Sequence, residues 1–335
     1  MKRFISTVLK IAVTLLLLYW IFTKYEIGKL YEADFTRLGL AALIFILSNF
    51  LGAWQWQKLL QGQGVEFPFR RSLNLYFIGL FFNTILPGCL GGDVVKVYSV
   101  SRIEKRGREG LAATFIDRFA GFFLLALFAL AGSLYLLISP LFAGQTIRHN
   151  ILLYVLVIFL IFLVLSAVLF SRRITRLIYE GLLANINPLG LKDKLRDWHE
   201  LFHAYRHQYR LAGKVFLLSF LIQLFRIAVH YYCALSIGFD IDFIYFLIFV
   251  PLIAMVALLP VSFGGLGVRE SSAPFLFTSV AAVAAVDPEG HLAVTTQLLA
   301  SLVGILVGLI GGVLFILTRT ADRIEPAAGP ARDSD

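Results

Sequence analysis

Six stretches of this sequence are apolar over about the length that a helix needs to cross a bilayer core, roughly 20 residues. Hydrophobic residues make up 59% of the chain and charged residues 15%, so that no polar segment is long enough for a separate soluble domain. The sequence therefore predicts an all-α, polytopic integral membrane protein. The predicted spans are Phe4–Thr23, Leu38–Leu60, Leu111–Ser139, Asn150–Phe170, Val215–Ile237 and Leu292–Leu317.

Positive charge falls mostly in alternate loops, which predicts the orientation of the chain. The net charge is +9, and the positive-inside rule explains it without a nucleic-acid partner. Basic flanks predict a cell (inner) membrane protein with cytoplasmic N- and C-termini. The first span resembles a signal peptide, but no small-residue cleavage site follows it, so we expect it to be retained. Both cysteines, Cys89 and Cys233, lie in membrane segments, and we expect no disulfide, metal or cofactor.

One pattern occurs twice, each time within an apolar stretch. Pro87 and Pro260 each follow a leucine, and after three intervening residues come the glycine pairs Gly91-Gly92 and Gly264-Gly265. Proline removes a backbone donor and paired glycines relax helical geometry, so each copy should break a helix at membrane depth. Two such breaks at corresponding positions of two halves are typical of a transporter's binding site. The alternative is a pair of unrelated loops that share common breaker residues.

The flanks of the two broken segments differ in charge. The first segment, Ser72–Val100, has basic flanks, whereas the second, Phe243–Val286, has acidic flanks. Each is predicted to be a re-entrant hairpin, the first open to the cytoplasm and the second to the other side. Span, hairpin and span then repeat with inverted topology in residues 38–139 and 215–317. Two short tilted spans with a tight turn remain the alternative to each hairpin.

The predicted transmembrane domain covers residues 1–319, and residues 320–335 are a predicted disordered cytoplasmic tail. Residues 171–214 link the two repeats and carry many cations, which places them in the cytoplasm. Within this linker, apolar residues at helical spacing predict either an amphipathic helix on the inner leaflet or a connector packed under the bundle. Those residues are Leu191, Leu195, Trp198, Phe202 and Tyr205.

Placing an ionisable side chain within a membrane span costs free energy, so each such residue is a candidate site residue. Gln223, Arg226 and His230 share one helix face with Ser219, near the middle of a span. Arg226 either holds an anionic headgroup or pairs with a buried carboxylate or with carbonyls of a broken helix. Asp117 and Arg118 lie about two turns into their span, where they pair with other helices or where Arg118 extends to the interface.

Charged residues also follow both breaks. Asp93 is either an N-cap or a proton or cation carrier at the hairpin tip, and Lys96 either binds phosphate or neutralises Asp93. Arg269 and Glu270 occupy the equivalent region of the second hairpin, with the same alternatives. Helix N-termini after the breaks would direct positive dipole ends towards an anion. No catalytic triad, metal-ligand set or phosphate-binding loop occurs at recognisable spacing.

The residues 86–93, Asp117-Arg118 and the stretch 259–270 resemble the lysylphosphatidylglycerol synthase transmembrane region family, also called the flippase-like domain family. The resemblance covers nearly the whole chain. It implies the lipid-translocating part of bifunctional relatives that flip aminoacylated phosphatidylglycerol. Because the sequence ends about eighteen residues after the last span, the C-terminal synthase domain and its lysyltransferase activity are not expected. Stand-alone members are linked to polyprenyl-phosphate sugar pathways, which widens the implied class of lipid.

The residues and the resemblance together predict a lipid translocase and not an enzyme. Its expected partners are the bilayer and a lipid with an anionic or phosphate headgroup, and a lipid-synthesising enzyme encoded separately would be a further partner. The alternatives are a membrane-embedded transferase, or an accessory subunit, acting on polyprenyl-phosphate sugars or aminoacylated phosphatidylglycerol.

Overall fold

The structure is a computed structural model that describes residues 2–85, 91–138, 147–170, 205, 208–257, 262 and 265–324. Every regular element in these ranges is helical, including a short 3-10 helix at Gly28–Leu30. The α-helices are α1 (Lys2–Lys24), α2 (Phe35–Gly62), α3 (Phe69–Ile85), α4 (Gly91–Glu104), α5 (Gly107–Ile138), α6 (Ile147–Phe170), α7 (Tyr209–Ser236), α8 (Phe243–Val256), α9 (Val268–Phe277), α10 (Ala281–Ala284) and α11 (His291–Ile324).

Four helices, α2, α5, α7 and α11, are long and apolar enough to cross a membrane. Shorter apolar stretches occur in α1, α6 and α8. Each of the six spans predicted from the sequence falls on one helix, with ends that differ by a few residues. The differences arise because hydropathy falls at the interfacial turns, where the helices continue with polar residues. A polytopic, all-helical membrane protein is therefore confirmed.

The helices α2 and α7 end in the same way. A glycine with positive φ, Gly64 (+72°) or Gly238 (+75°), follows each helix. The next residue, Val65 or Phe239, then donates its N–H to a carbonyl five residues earlier, at 3.0 Å in both cases. This is the hydrogen bond of a Schellman C-cap, and the residue that makes it is buried in both places.

These two helices pack together and run antiparallel. Where α2 begins, the N–H of Asp34 donates to the carbonyl of Ser236 at the end of α7 (2.8 Å). At the opposite end, Gln208, just before α7, donates to the carbonyl of Gly62 (2.9 Å). The hydroxyl of Tyr205 donates to the Leu59 carbonyl there (2.8 Å). The α2–α7 pair thus forms the axis against which α3, α5, α8 and α11 pack.

Each broken segment contributes one short helix that packs against a helix of this axis: α3 packs against α2, and α8 packs against α7. The helix α3 packs against α4 and α11, and α8 packs against α9 and α5. With 17 and 14 residues, α3 and α8 are about 26 Å and 21 Å long, which is shorter than the ~30 Å hydrocarbon core. The ring of Phe277 at the end of α9 contacts the rings of Phe246 (5.3 Å) and Phe249 (5.1 Å) on α8. These aromatic contacts anchor α9 to α8.

Close backbone contacts through glycine hold α3 between its two neighbours. A Cβ added to Gly92 would lie 1.9 Å from the carbonyl oxygen of Gly79 on α3. One added to Gly311 on α11 would lie 1.9 Å from the carbonyl oxygen of Phe77. Only glycine permits these distances, so α3 is tightly packed on both sides.

The first predicted break falls between two helices, since α3 ends at Ile85 and α4 begins at Gly91. Gly91 and Gly92 themselves are not unwound, because they form the first turn of α4. The N–H of Gly92 is satisfied by the side-chain oxygen of Asn83 (2.8 Å), which lets the helix start there. Gly265 does lie in a turn with positive φ (+80°), whereas Pro87, Pro260 and Gly264 lie outside the described residues.

Two further parts of the sequence prediction differ from the structure or lie outside it. The last part of the second broken segment, Phe243–Val286, is two helices, α9 and α10, because Val280 between them is extended (φ −106°, ψ 124°). The linker from 171 to 204 and the chain after 324 lie outside the described residues, so the amphipathic helix and the disordered tail stay predictions.

The contact at Gly92 gives a direct test of this packing. Gly92→Ala should lower the melting temperature in detergent by several degrees, because the new methyl group must force α4 away from α3. Gly39→Ala in α2 is the matched control, since a Cβ there meets nothing within 4 Å. That change should be neutral or slightly stabilising. Equal melting temperatures for wild type and Gly92→Ala would contradict a rigid α3–α4 contact.

Candidate functional site

A cluster of four charges, three of them buried, joins α4 to α5. The carboxylate of Asp93 accepts hydrogen bonds from Arg118 Nε (2.7 Å) and Nη2 (3.0 Å), and it lies 2.9 Å from Lys96 Nζ. Lys96 also lies 4.0 Å from an oxygen of Asp117. Asp93, Lys96 and Asp117 are each at most 7% exposed. The cluster is self-neutralising, since it holds two cations and two carboxylates.

Polar side chains of α2 and α7 extend this cluster. Gln55 donates to Asp117 Oδ1 (3.0 Å), and its own carbonyl oxygen accepts from Ser219 Oγ (2.9 Å). The ammonium of Lys96 lies over the rings of Trp56 and Tyr76, 5.4 and 4.8 Å from their centroids. This environment satisfies Lys96 within the protein, so it favours neutralisation of Asp93 over phosphate binding by Lys96.

Beside the cluster lies a cavity of about 310 Å³ into which three arginines project from three helices. They are Arg118 on α5, Arg226 on α7 and Arg269 on α9. Apolar side chains complete much of the wall, including Leu80 and Ile253. The remaining polar lining residues are Asn83, Thr84, Gln223, His230, Gln297 and Ser301. The cavity is therefore a cationic site within the membrane-spanning helices.

The three arginines differ in how they are neutralised. Arg118 is held by Asp93. The Nε atoms of Arg226 and Arg269 are buried and have no hydrogen-bond partner among the described residues. Gln297 Nε2 on the same wall is also buried without one. Buried donors without partners are costly, and in a cavity of this size they are suited to an acceptor from a ligand.

Hydrogen bonds of neighbouring polar side chains hold α7 in place along this side of the cavity. Gln223 donates to the carbonyl of Gly121 on α5 (3.0 Å), which ties α7 to α5. His230 Nδ1 lies 2.9 Å from the carbonyl of Arg226, one turn earlier on α7. With the proton on Nδ1, the other ring nitrogen is an acceptor. Ser219, Gln223, Arg226 and His230 thus lie along the inner side of α7.

Glu270 lies behind Arg269 and not on the cavity wall. It is fully buried and accepts hydrogen bonds from Gly267 N (2.7 Å) and Ser301 Oγ (2.7 Å). Glu270 therefore ties the start of α9 to α11, as Asp93 ties the start of α4 to α5. Asp93 is the third residue of α4 and binds side chains of other turns, so its N-cap alternative is wrong.

The structure divides the nine predicted binding residues into two groups. Arg118, Gln223, Arg226, His230 and Arg269 line the cavity. The others, Asp93, Lys96, Asp117 and Glu270, lie behind these residues and position helices or arginines.

Sequence reasoning missed Gln55, Asn83, Gln297 and Ser301. The signal was present for Gln55 and Gln297, since each is an amide within an apolar helix. No group of three His, Cys, Asp or Glu side chains within the described ranges is placed to hold a metal ion.

Comparisons with known proteins place the chain in a family. A model of the lysylphosphatidylglycerol synthase transmembrane region matches residues 7–286. A UPF0104 membrane protein of Pyrococcus horikoshii is 28% identical over 95% of this chain and 98% of its own length. A UPF0104 membrane protein of Methanothermobacter thermautotrophicus is 24% identical, covering 82% of this chain and 81% of its own. The protein therefore belongs to the lysylphosphatidylglycerol synthase transmembrane region family.

Proposed function

We propose that this protein is a lipid translocase that moves an anionic phospholipid or a polyprenyl-phosphate-linked lipid between leaflets. The observation that carries this proposal is the cavity lined by Arg118, Arg226 and Arg269, two of which have a buried Nε without a partner among the described residues. Guanidinium groups bind phosphate through paired hydrogen bonds, which suits a phosphate-bearing headgroup. Family membership makes a membrane-lipid substrate plausible.

The charges of the site favour an anionic headgroup over a cationic one. Four cations (Lys96, Arg118, Arg226 and Arg269) and three carboxylates (Asp93, Asp117 and Glu270) give one excess positive charge when all are ionised. An aminoacylated headgroup carries added ammonium charge and would be repelled by Arg226 and Arg269, which form no ion pair with a described carboxylate. A volume of about 310 Å³ is sufficient for a headgroup, whereas the acyl or prenyl chains would remain in the bilayer.

The proposal includes an inverted-topology repeat, which the helix contacts support. Exchanging the halves exchanges α2 with α7, α3 with α8, α4 with α9, and α5 with α11. Under this exchange the α3–α11 contact becomes the α8–α5 contact, and the α4–α5 contact becomes the α9–α11 contact. The matching C-caps of α2 and α7 are also related by this exchange of halves. Alternating access in such folds comes from movement of one repeat against the other around a fixed site.

The hydrogen bonds at the helix ends support opposed hairpins. The first hairpin starts and finishes near the end of α2, where Gln57 donates to Phe67 O (2.9 Å) and Arg106 donates to Gly64 O (2.7 Å). The second finishes near the start of α11, where Ala293 N donates to Asp287 (2.9 Å). His291 there accepts a hydrogen bond from Glu26 N (3.0 Å), which follows α1. These contacts support hairpins that open at opposite ends of the bundle.

The first of these ends is rich in cations, and we assign it to the cytoplasm of the cell membrane. Its cations include Lys58, Arg70, Arg71, Arg102, Lys105, Arg106 and Arg108. The other end carries Asp34, Asp240, Asp242, Asp287 and Glu289. Both chain termini are then cytoplasmic.

This topology predicts the labelling of single cysteines by a membrane-impermeant maleimide. In a chain without Cys89 and Cys233, Ser101→Cys should be labelled only in inside-out vesicles. Glu289→Cys should be labelled only in right-side-out cells. Both positions are exposed, which removes burial as a cause of poor labelling. Labelling of both cysteines from one side would contradict the opposed hairpins.

The transport proposal is tested with purified full-length protein in liposomes. Each vesicle population carries one fluorescent lipid: phosphatidylglycerol, a polyprenyl phosphate, phosphatidylcholine or lysylphosphatidylglycerol. We expect the protein to accelerate transfer of an anionic lipid between leaflets and to leave phosphatidylcholine and lysylphosphatidylglycerol near the protein-free rate. Absence of transfer for all four lipids would contradict the proposal. Conversion of a polyprenyl-phosphate sugar to a new product would favour the transferase alternative.

A further inference from the structure

A second site lies between α5 and α7, at the end of the bundle where α2 finishes. Here an apolar pocket of about 550 Å³ is walled by α5, α7 and the end of α2. Its lining is dominated by large apolar side chains, among them Phe119, Phe123 and Phe216. None of its lining residues lines the arginine cavity. The site is therefore separate from the one proposed for transport.

A cationic pocket of about 490 Å³ adjoins the apolar one, since Gln208, Tyr209 and Leu211 line both. Its charged lining residues are Lys58, Arg210 and Lys214. No described carboxylate lines either pocket, and Arg210 and Lys214 form no ion pair with a described carboxylate. Lys58 donates one hydrogen bond to Gln61, which leaves ammonium protons for another acceptor. The pocket thus carries three positive charges that no described carboxylate compensates.

The two pockets are arranged along the expected direction of a phospholipid. Lys58 lies one turn before the end of α2, and Arg210 and Lys214 lie in the first turns of α7. These are the ends of two membrane-crossing helices, where headgroups lie. The apolar lining follows α5 from Ile116 to Leu124, about 12 Å along the helix. A headgroup among the cations would therefore place an acyl chain in the apolar pocket.

We propose that this paired pocket binds an anionic phospholipid of the bilayer. Its phosphate would lie among Lys58, Arg210 and Lys214, and one acyl chain would lie against Phe119, Phe123 and Phe216. Charge complementarity selects the headgroup: an anionic lipid brings one negative charge to three cations that have no described carboxylate partner, whereas a zwitterionic lipid also brings a cation of its own. The bound lipid would join α2, α5 and α7 at their shared end.

The proposal is tested by lipid retention of the full-length protein in phosphatidylcholine nanodiscs with and without phosphatidylglycerol. Native mass spectrometry counts the phosphatidylglycerol molecules that remain bound. Arg210→Gln/Lys214→Gln should weaken retention about 30-fold, from about fivefold for each cation near an anionic group. Arg70→Gln/Arg71→Gln is the matched control, since it removes two exposed cations from the start of α3, outside both pockets. Equal retention by both double variants would overturn the proposal.

A second pair of variants tests the apolar pocket without altering charge. Ala212→Trp places a large ring in the pocket from an exposed position, whereas Leu217→Trp adds the same ring to an exposed part of α7 that does not line it. Only Ala212→Trp should reduce phosphatidylglycerol retention. A photo-reactive benzoylphenylalanine at Phe216 should cross-link to phosphatidylglycerol. Cross-linking to another segment of the same chain, with no lipid adduct, would overturn the proposal. These experiments measure binding, so their outcome is independent of whether the protein transports lipid.

Discussion

Arg226→Lys should reduce the initial rate of anionic-lipid transfer about 10- to 100-fold while leaving the melting temperature within about a degree of wild type. Loss of a charge-assisted hydrogen bond costs about 1.5–3 kcal/mol, which sets the size of the rate effect. The lysine keeps the positive charge but cannot form the paired hydrogen bonds of a guanidinium with phosphate. Stability should change little, since Arg226 Nε has no described partner to lose.

A structural role for Arg226 predicts a loss of stability instead. If Arg226 served the fold by pairing with a carboxylate, Arg226→Ala would leave that carboxylate buried and unpaired, at a cost of about 3–5 kcal/mol. No ion pair joins Arg226 to a described carboxylate, which favours the ligand role.

Arg102→Lys on the exposed end of α4 is the matched control and should transport at the wild-type rate. Both transport and thermal unfolding should be measured on each variant. A destabilised but fully active Arg226→Lys protein would exclude Arg226 as the headgroup ligand.

Asp93→Asn should destabilise the protein by about 3–5 kcal/mol, because it breaks a buried ion-pair network by removing one partner. Asp93 is 6% exposed and neutralises both Arg118 and Lys96, so its loss leaves two cations with one remaining carboxylate, Asp117. Thermal unfolding in detergent measures the effect as a fall in melting temperature and in folded yield.

Two comparisons separate this buried network from ordinary surface charge. Glu32→Gln removes the partner of Lys29 in an exposed ion pair, and it should change stability by less than about 1 kcal/mol. Asp93→Asn/Arg118→Gln should be less destabilised than the sum of its single variants, because the second change removes one of the orphaned cations. Strict additivity would show that Asp93 and Arg118 do not act as a pair.

The hydrophobic pattern alone determined the number and position of the long helices. A helix such as α2 is recognisable because a run of about 20 apolar residues has few uses other than crossing a membrane. Loop charge also allowed the inverted arrangement to be predicted, since the positive-inside rule depends on the residues at the span ends and not on helix packing. Arg226 and Arg118 were identifiable for a similar reason, because a charge in an apolar run stands out against its neighbours.

The role of each polar residue depended on the tertiary structure. Lys96 and Arg118 are equal candidates for phosphate binding in sequence, yet Lys96 lies between Asp93 and Asp117 while Arg118 lines the cavity. This difference comes from the crossing of α4 and α5, which no local pattern specifies. The pairing of Gln55 with Asp117 likewise joins residues 62 positions apart.

The glycines also separate what the sequence indicates from what only the tertiary structure decides. Sequence alone indicated that Gly91, Gly92 and Gly265 lie where helices change course, because glycine is rare in a helix without a reason. Only the structure distinguished the reasons: Gly265 has a positive φ, whereas Gly92 is helical and lies against the backbone of Gly79. Hydropathy and loop charge are properties of short segments, so the sequence by itself determined which segments form long apolar helices, and it predicted the direction in which each crosses the membrane. Contacts between residues far apart in the chain decided which arginines are neutralised and which have no carboxylate partner among the described residues.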